Sequence, residues 1–528
     1  MGDGESKVRR RLPIGIQNFR EIRGEGHYYA DKTPHIEGLI EDGKHYFLSR
    51  PRRFGKSLLL DTIKELFEGS EELFRGLRIH DRWDWERRHP VLRLSFGAGD
   101  FSSRDRLELA VAARLEDLER DHGVAPRNVP PSERLRHLIE ELHGRRGERV
   151  VVLIDEYDKP ILDNLGEREI ARANRNFLSG LYAVVKDCDA HIRFTLLTGV
   201  SKFSKVNLFS GLNNLEDITL DPRFATICGY TEDDLDTVFA PELEGLDREQ
   251  VRGWYNGYNW GGGERVYNPY DILLLFRRRE YRAWWFETGT PTFLLDTLIR
   301  RGVNTFALDG MIADDSLLSS FDVEEIAPEA LLFQTGYLTI VESVNDDGET
   351  WYRLGYPNRE VRQSLSKLLL ARLAGDAAKS PRSTRNLRRC FREHNLPGIE
   401  AEFRAIFAGI PADWHRRNNI AHFEGYYASV FYACLAALGP ELTVEEASAA
   451  GRVDLALRCG GRTYLFEFKL IERAGDGAAL AQLIERGYAD KHRAAGGPVH
   501  LIGIEFSEET RNIAAFETME DRASASTE

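Results

Sequence analysis

Lys56 and Ser57 close the turn Arg50-Pro51-Arg52-Arg53-Phe54-Gly55, which lies between two short apolar runs, Tyr46-Phe47-Leu48 and Leu58-Leu59-Leu60. A strand, a tight glycine-containing turn and a helix in that order aim backbone N–H groups and a helix N-terminus at an anion. In such a turn Lys56 reaches the terminal phosphates of a bound polyphosphate, and the Ser57 hydroxyl holds magnesium. Arg50 stands where the full pattern carries glycine, so the turn has to form without that residue's freedom at positive φ. Gly-Lys-Ser before a helix also arises by chance, and a second segment is needed to decide between the two readings.

Val150-Val151-Val152-Leu153-Ile154-Asp155-Glu156 supplies it. A β-branched apolar run ending in two acids reads as a strand buried on both faces, with carboxylates at its C-terminal tip. Beside the phosphate turn, Asp155 would hold magnesium and Glu156 would polarise the attacking water. Alone, the segment reads equally as a core strand with a solvated acidic end. About a hundred residues downstream of Lys56, it makes the pair resemble the nucleotide site of a P-loop ATPase. In ATPases of the additional-strand class the next strand ends in a polar sensor of the γ-phosphate, and Thr198, at the tip of Ile192–Gly199, takes that position; a simple strand cap is the competing reading. Arg52 and Arg53 either touch phosphates, in this chain or a neighbouring subunit of a homo-oligomer, or face solvent.

The elements that position these groups follow from the pattern. Helices are expected near 33–39, 107–120, 133–143 and 171–185, alternating with strands at 46–48, 91–96, 150–156 and 192–199. That alternation implies a parallel sheet with helices on both faces, here assigned to residues 12–220. Residues 221–390 read as a mixed, mainly helical middle region. It opens at Thr231, a helix cap followed by Glu232, Asp233 and Asp234. Its aromatic tract, Trp254 to Trp260 with Tyr267, Tyr270 and Trp284-Trp285-Phe286, fills a core or, less readily, stacks on bases.

Residues 391–515 hold a second chemistry. Gly460-Gly461 suits a two-residue hairpin turn between Gly451–Cys459 and Arg462–Lys469, because both turn positions need positive φ. Counting back from Cys459 opposite Arg462 puts Asp454 opposite Glu467. Strand alternation then sets Lys469 on the face of Glu467, with Phe466 and Phe468 on the other. Facing carboxylates repel, and a divalent metal between them removes the repulsion and generates hydroxide for phosphodiester attack, with Lys469 stabilising the developing charge. The competing reading is a hairpin carrying an exposed Glu467–Lys469 ion pair.

The 528-residue chain is 42% hydrophobic and 30% charged, enough for about three domains with cores. Its net charge of −14 gives no global attraction to nucleic acid, so contact must come from local patches such as Lys7–Arg11, Arg277–Arg279 or His415–Arg417. Five scattered cysteines with no C-x-x-C pair point to reduced thiols, a cytoplasmic setting and no structural zinc. No uncharged apolar stretch is long enough to span a bilayer, so no membrane partner is expected.

The D…E-x-K pattern of Asp454, Glu467 and Lys469 resembles the PD-(D/E)xK nuclease superfamily, an α/β restriction-endonuclease-like fold. The resemblance implies a further metal ligand on a preceding helix, at Glu424, and a following helix with Gln482 and Tyr488. Tyr28–Thr33, Arg50–Ser57, Asp155-Glu156, Leu197–Phe203, Tyr267–Pro269 and Glu467–Lys469 together resemble a prokaryotic family that joins an AAA-ATPase-like domain to such a nuclease domain. Arg50 belongs to that family's loop. Membership implies ATP held by Arg52, Arg53, Phe54, Gly55, Lys56, Ser57, Asp155 and Thr198. It also implies Mg2+ at Ser57 and Asp155, and Mg2+ or Mn2+ at Glu424, Asp454 and Glu467. The expected partner is nucleic acid, DNA before RNA. Glu156, Asp454, Glu467 and Lys469 are the expected catalytic residues. The other readings are a nucleotide-switched binding module with a silent nuclease-like domain, and an ATPase domain that binds nucleotide without turnover.

Overall fold

The computed structural model describes residues 9–203, 214–261, 263–285, 308–314, 327–347, 349–373, 380–410, 424–438, 441–448, 451–471, 477–493 and 497–521, with single residues 208, 212 and 318. Two compact units divide the chain: Met1–Gly289 with Ile312–Asn358, and Thr290–Met311 with Arg359–Glu528. Neither is one continuous segment, since the chain leaves the first unit and returns to it.

The first unit begins with α1 (Phe19–Gly24) and α2 (Thr33–Asp42), followed by β1 (His45–Ser49) and α3 (Lys56–Phe67). Then come β2 (Val91–Ser95), α4 (Arg104–Asp121), α5 (Pro131–Arg146), β3 (Val150–Asp155), α6 (Arg168–Asp187), β4 (Ile192–Gly199) and β5 (Glu216–Asp217). The sheet order is β2-β3-β4-β1-β5, and every pair is parallel. Every residue of β1 and β3 is buried, as expected of strands covered on both faces. β4 lies between the strand that leads into the phosphate turn and the strand that ends in Asp155. Its tip therefore reaches both.

The rest of this unit contains α7 (Glu232–Thr237), α8 (Pro269–Arg278), α9 (Pro328–Thr335) and an antiparallel sheet, β6-β8-β7, from β6 (Ile312–Asp314), β7 (Thr339–Asp346) and β8 (Glu349–Gly355). Thr231 caps α7 through a reciprocal pair with Asp234, as its sequence implied. The aromatic tract is core rather than a stacking surface: Tyr255, Tyr258, Trp260 and Tyr267 are all buried. Phe286 lies outside the described residues.

The second unit carries α10 (Ser380–Arg392), α11 (Leu396–Ala408), α12 (Glu424–Ala436), β9 (Glu441–Ser448), β10 (Gly451–Cys459), β11 (Arg462–Ile471), α13 (Ala478–Glu485), β12 (Val499–Ser507) and β13 (Asn512–Asp521). Its mixed sheet runs β13-β12-β11-β10-β9, with β11 and β12 parallel and the other pairs antiparallel. Gly460 and Gly461 have φ of 58° and 75°, and Cys459 pairs with Arg462, as a two-residue turn requires. Phe466 and Phe468 pack on Phe431 of α12, with ring centroids 5.3 and 5.1 Å apart. Glu467 and Lys469 therefore take the other face, covered by α13.

Gly503 on β12 pairs with Glu467 and lets α13 lie close: a Cβ there would sit 2.3 Å from the Leu480 backbone nitrogen. Because backbone atoms cannot step aside as a flexible side chain does, Gly503→Ala is expected to lower unfolding free energy by roughly 1–3 kcal/mol. Urea denaturation of the full chain measures it.

Candidate functional site

The phosphate turn is held in a shape that leaves its donors available. Arg53 and Gly55 take positive φ (69° and 93°), while Arg50 does not, so the turn is made further along than the missing glycine. Gly55 is the N-cap of α3 and offers no side-chain cap, which leaves the first N–H groups of the helix for an anion. Lys56 is buried and donates to the carbonyls of Arg50 (2.8 Å) and Pro51 (2.9 Å). Burial pushes its ammonium below the usual lysine range, against the fields of Asp155, Cys228, Asp158 and Glu156. A cleft of about 370 Å³ opens here, lined by Arg52, Arg53, Gly55, Lys56, Ser57 and Glu156 among others.

Arg50 itself points away from that cleft. Its guanidinium is wholly buried and donates to the carbonyls of Ser49 (2.8 Å), Thr219 (2.9 Å) and Phe224 (3.0 Å), with Trp260 stacked 4.3 Å away. Burial lowers its pKa to about 10, which still leaves it charged at neutral pH. Phe54 turns the same way, edge-on to Tyr258 and Trp260, and its carbonyl accepts from the Gly229 N–H, so it does not line the cleft. Arg52 and Arg53 are exposed; Arg53 lies 4.8 Å over Tyr270, another residue of the cleft wall.

The acidic strand brings its groups to the same end of the sheet. Asp155 is buried and accepts a 2.9 Å hydrogen bond from the Thr198 hydroxyl, while Arg93 lies 3.8 Å from its other oxygen. Arg93 also donates to Asp61 and to the Ser57 carbonyl, tying β2 to the first turn of α3. Glu156 follows at φ 53°, and burial raises its carboxyl above the usual range, partly offset by Lys56. Ser57, Asp155 and the uncapped helix end together fit a magnesium–triphosphate.

Asp158 is a residue that the spacing of motifs did not single out. It is buried, and one oxygen accepts from the N–H groups of Val200 (3.0 Å) and Ser201 (2.6 Å) and from the Ser201 hydroxyl (2.7 Å). Tyr157 adds a hydrogen bond to the Ser201 carbonyl and receives one from Phe203 N–H. The strand tip thus lashes the turn that follows Thr198. The signal was present in the sequence as a fourth residue in Asp155-Glu156-Tyr157-Asp158.

In the second unit, the pairs from Cys459↔Arg462 to Leu455↔Phe466 are those the hairpin count requires, and Asp454 is next along β10. The side chains of Asp454 and Glu424 lie outside the described residues. Glu467 is buried and accepts from the Gln482 amide, which α13 carries over it; Lys469 is half-buried on the same face. Tyr488 is not on α13 but beyond its end, buried against Leu465 and Leu501. Among the described residues no three His, Cys, Asp or Glu side chains are grouped to hold a metal.

Residues 13–209 match the family model described as predicted AAA-ATPase, and residues 422–516 match that of the PD-(D/E)XK nuclease superfamily. A protein from Azotobacter chroococcum mcd 1, titled "Uncharacterized protein in vnfD 5'region", is 55% identical over 509 residues, covering 96% of this chain and 98% of that one. The chain belongs to that protein's family. In this chain an AAA-ATPase-like domain and a C-terminal PD-(D/E)XK nuclease superfamily domain are joined in one polypeptide. No solved structure matches the chain.

Two outcomes follow for this family's ATPase-like unit. Arg50→Met strands three buried carbonyls and should lower unfolding free energy by roughly 3 kcal/mol, read from urea denaturation. Burial, the largest influence on Asp158, raises its carboxyl. A carboxyl raised in the folded state contributes most to stability below the unfolded-chain value, and that contribution fades as pH rises through the folded value. As pH rises above about 4, wild type should therefore lose stability by a component that Asp158→Asn lacks, so the two stability–pH curves differ in slope in matched urea titrations.

Proposed function

We propose that the chain binds and hydrolyses ATP with magnesium in its first unit, and that its second unit is a metal-dependent nuclease acting on nucleic acid, DNA before RNA. In this reading residues 12–220 carry the ATPase, 221–390 form a mixed, mainly helical middle region, 391–515 carry the nuclease, and the setting is cytoplasmic. The observation that carries the reading is the uncapped start of α3 behind Gly55, opening on one cleft with Lys56 and Glu156.

The residues take distinct roles. Lys56 exchanges the carbonyls of Arg50 and Pro51 for terminal phosphate oxygens, and the backbone from Arg52 to Ser57 cradles them. Ser57 and Asp155 hold magnesium, which when bound supplies charge neutralisation at the phosphates. Thr198, hydrogen-bonded to Asp155, senses the γ-phosphate end. Glu156, with its carboxyl raised by burial, orients water and takes its proton. In the second unit Asp454, Glu467 and Glu424 would hold Mg2+ or Mn2+, and Lys469 would stabilise the charge of a phosphodiester under attack.

A second reading keeps the nuclease-like unit as a nucleotide-switched binder that does not cut. The bond from Gln482 to Glu467 favours it, because it engages a carboxylate oxygen that a metal would need.

Lys56→Ala is expected to reduce phosphate release at least about tenfold, whereas Glu156→Gln keeps nucleotide binding and loses about a hundredfold in turnover. Wild-type phosphate release no faster than that of Lys56→Ala ends the ATPase reading. With plasmid DNA and Mg2+ or Mn2+, Lys469→Ala should abolish nicking while retaining binding; a wild type that binds without nicking establishes the second reading instead.

A further inference from the structure

Two of the basic runs visible in the sequence are partly engaged within the protein, while Arg10, Arg277 and Arg278 stay exposed. Arg279 ends α8 in the left-handed region and donates to the carbonyls of Glu242 and Glu244, while Arg9 and Arg11 pair with Glu244 and Glu25. His415–Arg417 lie outside the described residues. A longer stripe of positive charge sits on α10 of the second unit, where no run announced it.

α10 has 13 residues, five of them arginine and none acidic. Arg382, Arg385, Arg389 and Arg392 recur at i, i+3, i+7 and i+10, so they share one face, and all four are exposed. None of the four pairs with a carboxylate among the described residues. Arg388, beside them, is tied to the Leu438 carbonyl. The opposite face is anchored: Leu387, Cys390 and Phe391 are buried, and Phe391 meets Tyr464 of β11 edge-on at 5.3 Å. Those contacts fix the direction in which the arginines point.

We propose that this arginine stripe is a docking surface for the phosphate backbone of nucleic acid. From Arg382 to Arg392 it extends about 15 Å, along which duplex DNA presents roughly nine phosphate charges. In a chain of net charge −14, a row of unpaired guanidinium groups has a polyanion as its electrostatic complement. A membrane-surface helix would need its apolar face free to enter lipid, and here that face is buried in the unit's own core. Tyr464 and Phe466 share the face opposite Glu467, so the stripe supplies grip and register rather than chemistry. This inference rests on the nucleic-acid reading proposed above.

The test is binding of a 30-base-pair duplex and of single-stranded DNA by the full chain, by fluorescence anisotropy across a KCl series. The comparison is between wild type, R382Q/R385Q/R389Q/R392Q and the same four positions changed to lysine. The glutamine variant should bind at least about tenfold more weakly at low salt, and its log affinity should fall less steeply with log salt, by about two to four units of slope. The lysine variant should recover most of both. Phosphate release should be unchanged, and any nicking should lose in KM rather than in kcat. Equal affinity and slope in a glutamine variant with wild-type circular dichroism overturns the proposal while leaving the nucleic-acid reading intact. Should the fourfold variant fail to fold, R385Q/R392Q gives the same decision with half the slope change. A wild type that binds neither DNA overturns both, as does arginine-dependent capture of anionic phosphatidylglycerol vesicles in place of DNA.

Discussion

A buried positive charge organises the nucleotide end of this protein. Among the described residues no carboxylate pairs with the Arg50 guanidinium; three carbonyls and the face of Trp260 stand in place of its water. Taking an ion out of water costs several kcal/mol unless its donors are matched, and a planar fork is suited to matching several carbonyls at once. The reward is geometric. Ser49 ends β1, Thr219 follows β5, and Phe224 lies beyond it, so one side chain pins the start of the phosphate turn to the edge of the sheet. With its first residue pinned, the turn can bend at Arg53 and Gly55.

The opposite wall is fixed by carboxylates. Asp155 holds Thr198 across the two strand tips, while Asp158 and Tyr157 bind the backbone that follows. These side chains come from neighbouring positions of one short segment but serve different ends: Glu156 lines the cleft and Asp155 ties the strand tips together, whereas Tyr157 and Asp158 face the sheet's own turn. Such division explains why the segment tolerates three buried polar side chains. Each has found donors or acceptors that water would otherwise supply.

The features legible in the sequence were those whose physics is local. Periodicity gave the parallel sheet, and two adjacent glycines gave the hairpin turn and its register. Lys56, Asp155 and Thr198 could be brought together because P-loop folds place strand tips at one end. What stayed hidden depended on partners distant along the chain. Arg50 looked like a departure from pattern because its acceptors are some 170 residues away. Gly503 looked like any glycine until Leu480 came to lie against it. The α10 arginines are spread at helical spacing, and only the burial of Leu387 and Phe391 shows which side they occupy.

The acceptors and aromatic cover of Arg50 have a consequence for synthesis. Arg50 leaves the ribosome before Thr219, Phe224 and Trp260, and Trp285, which donates to the Arg52 carbonyl, comes later still. At ordinary elongation rates that interval is on the order of ten seconds or more. During it the nascent sheet carries a guanidinium whose final acceptors do not yet exist. The phosphate turn therefore cannot reach its final hydrogen bonding until the chain beyond β5 has been made.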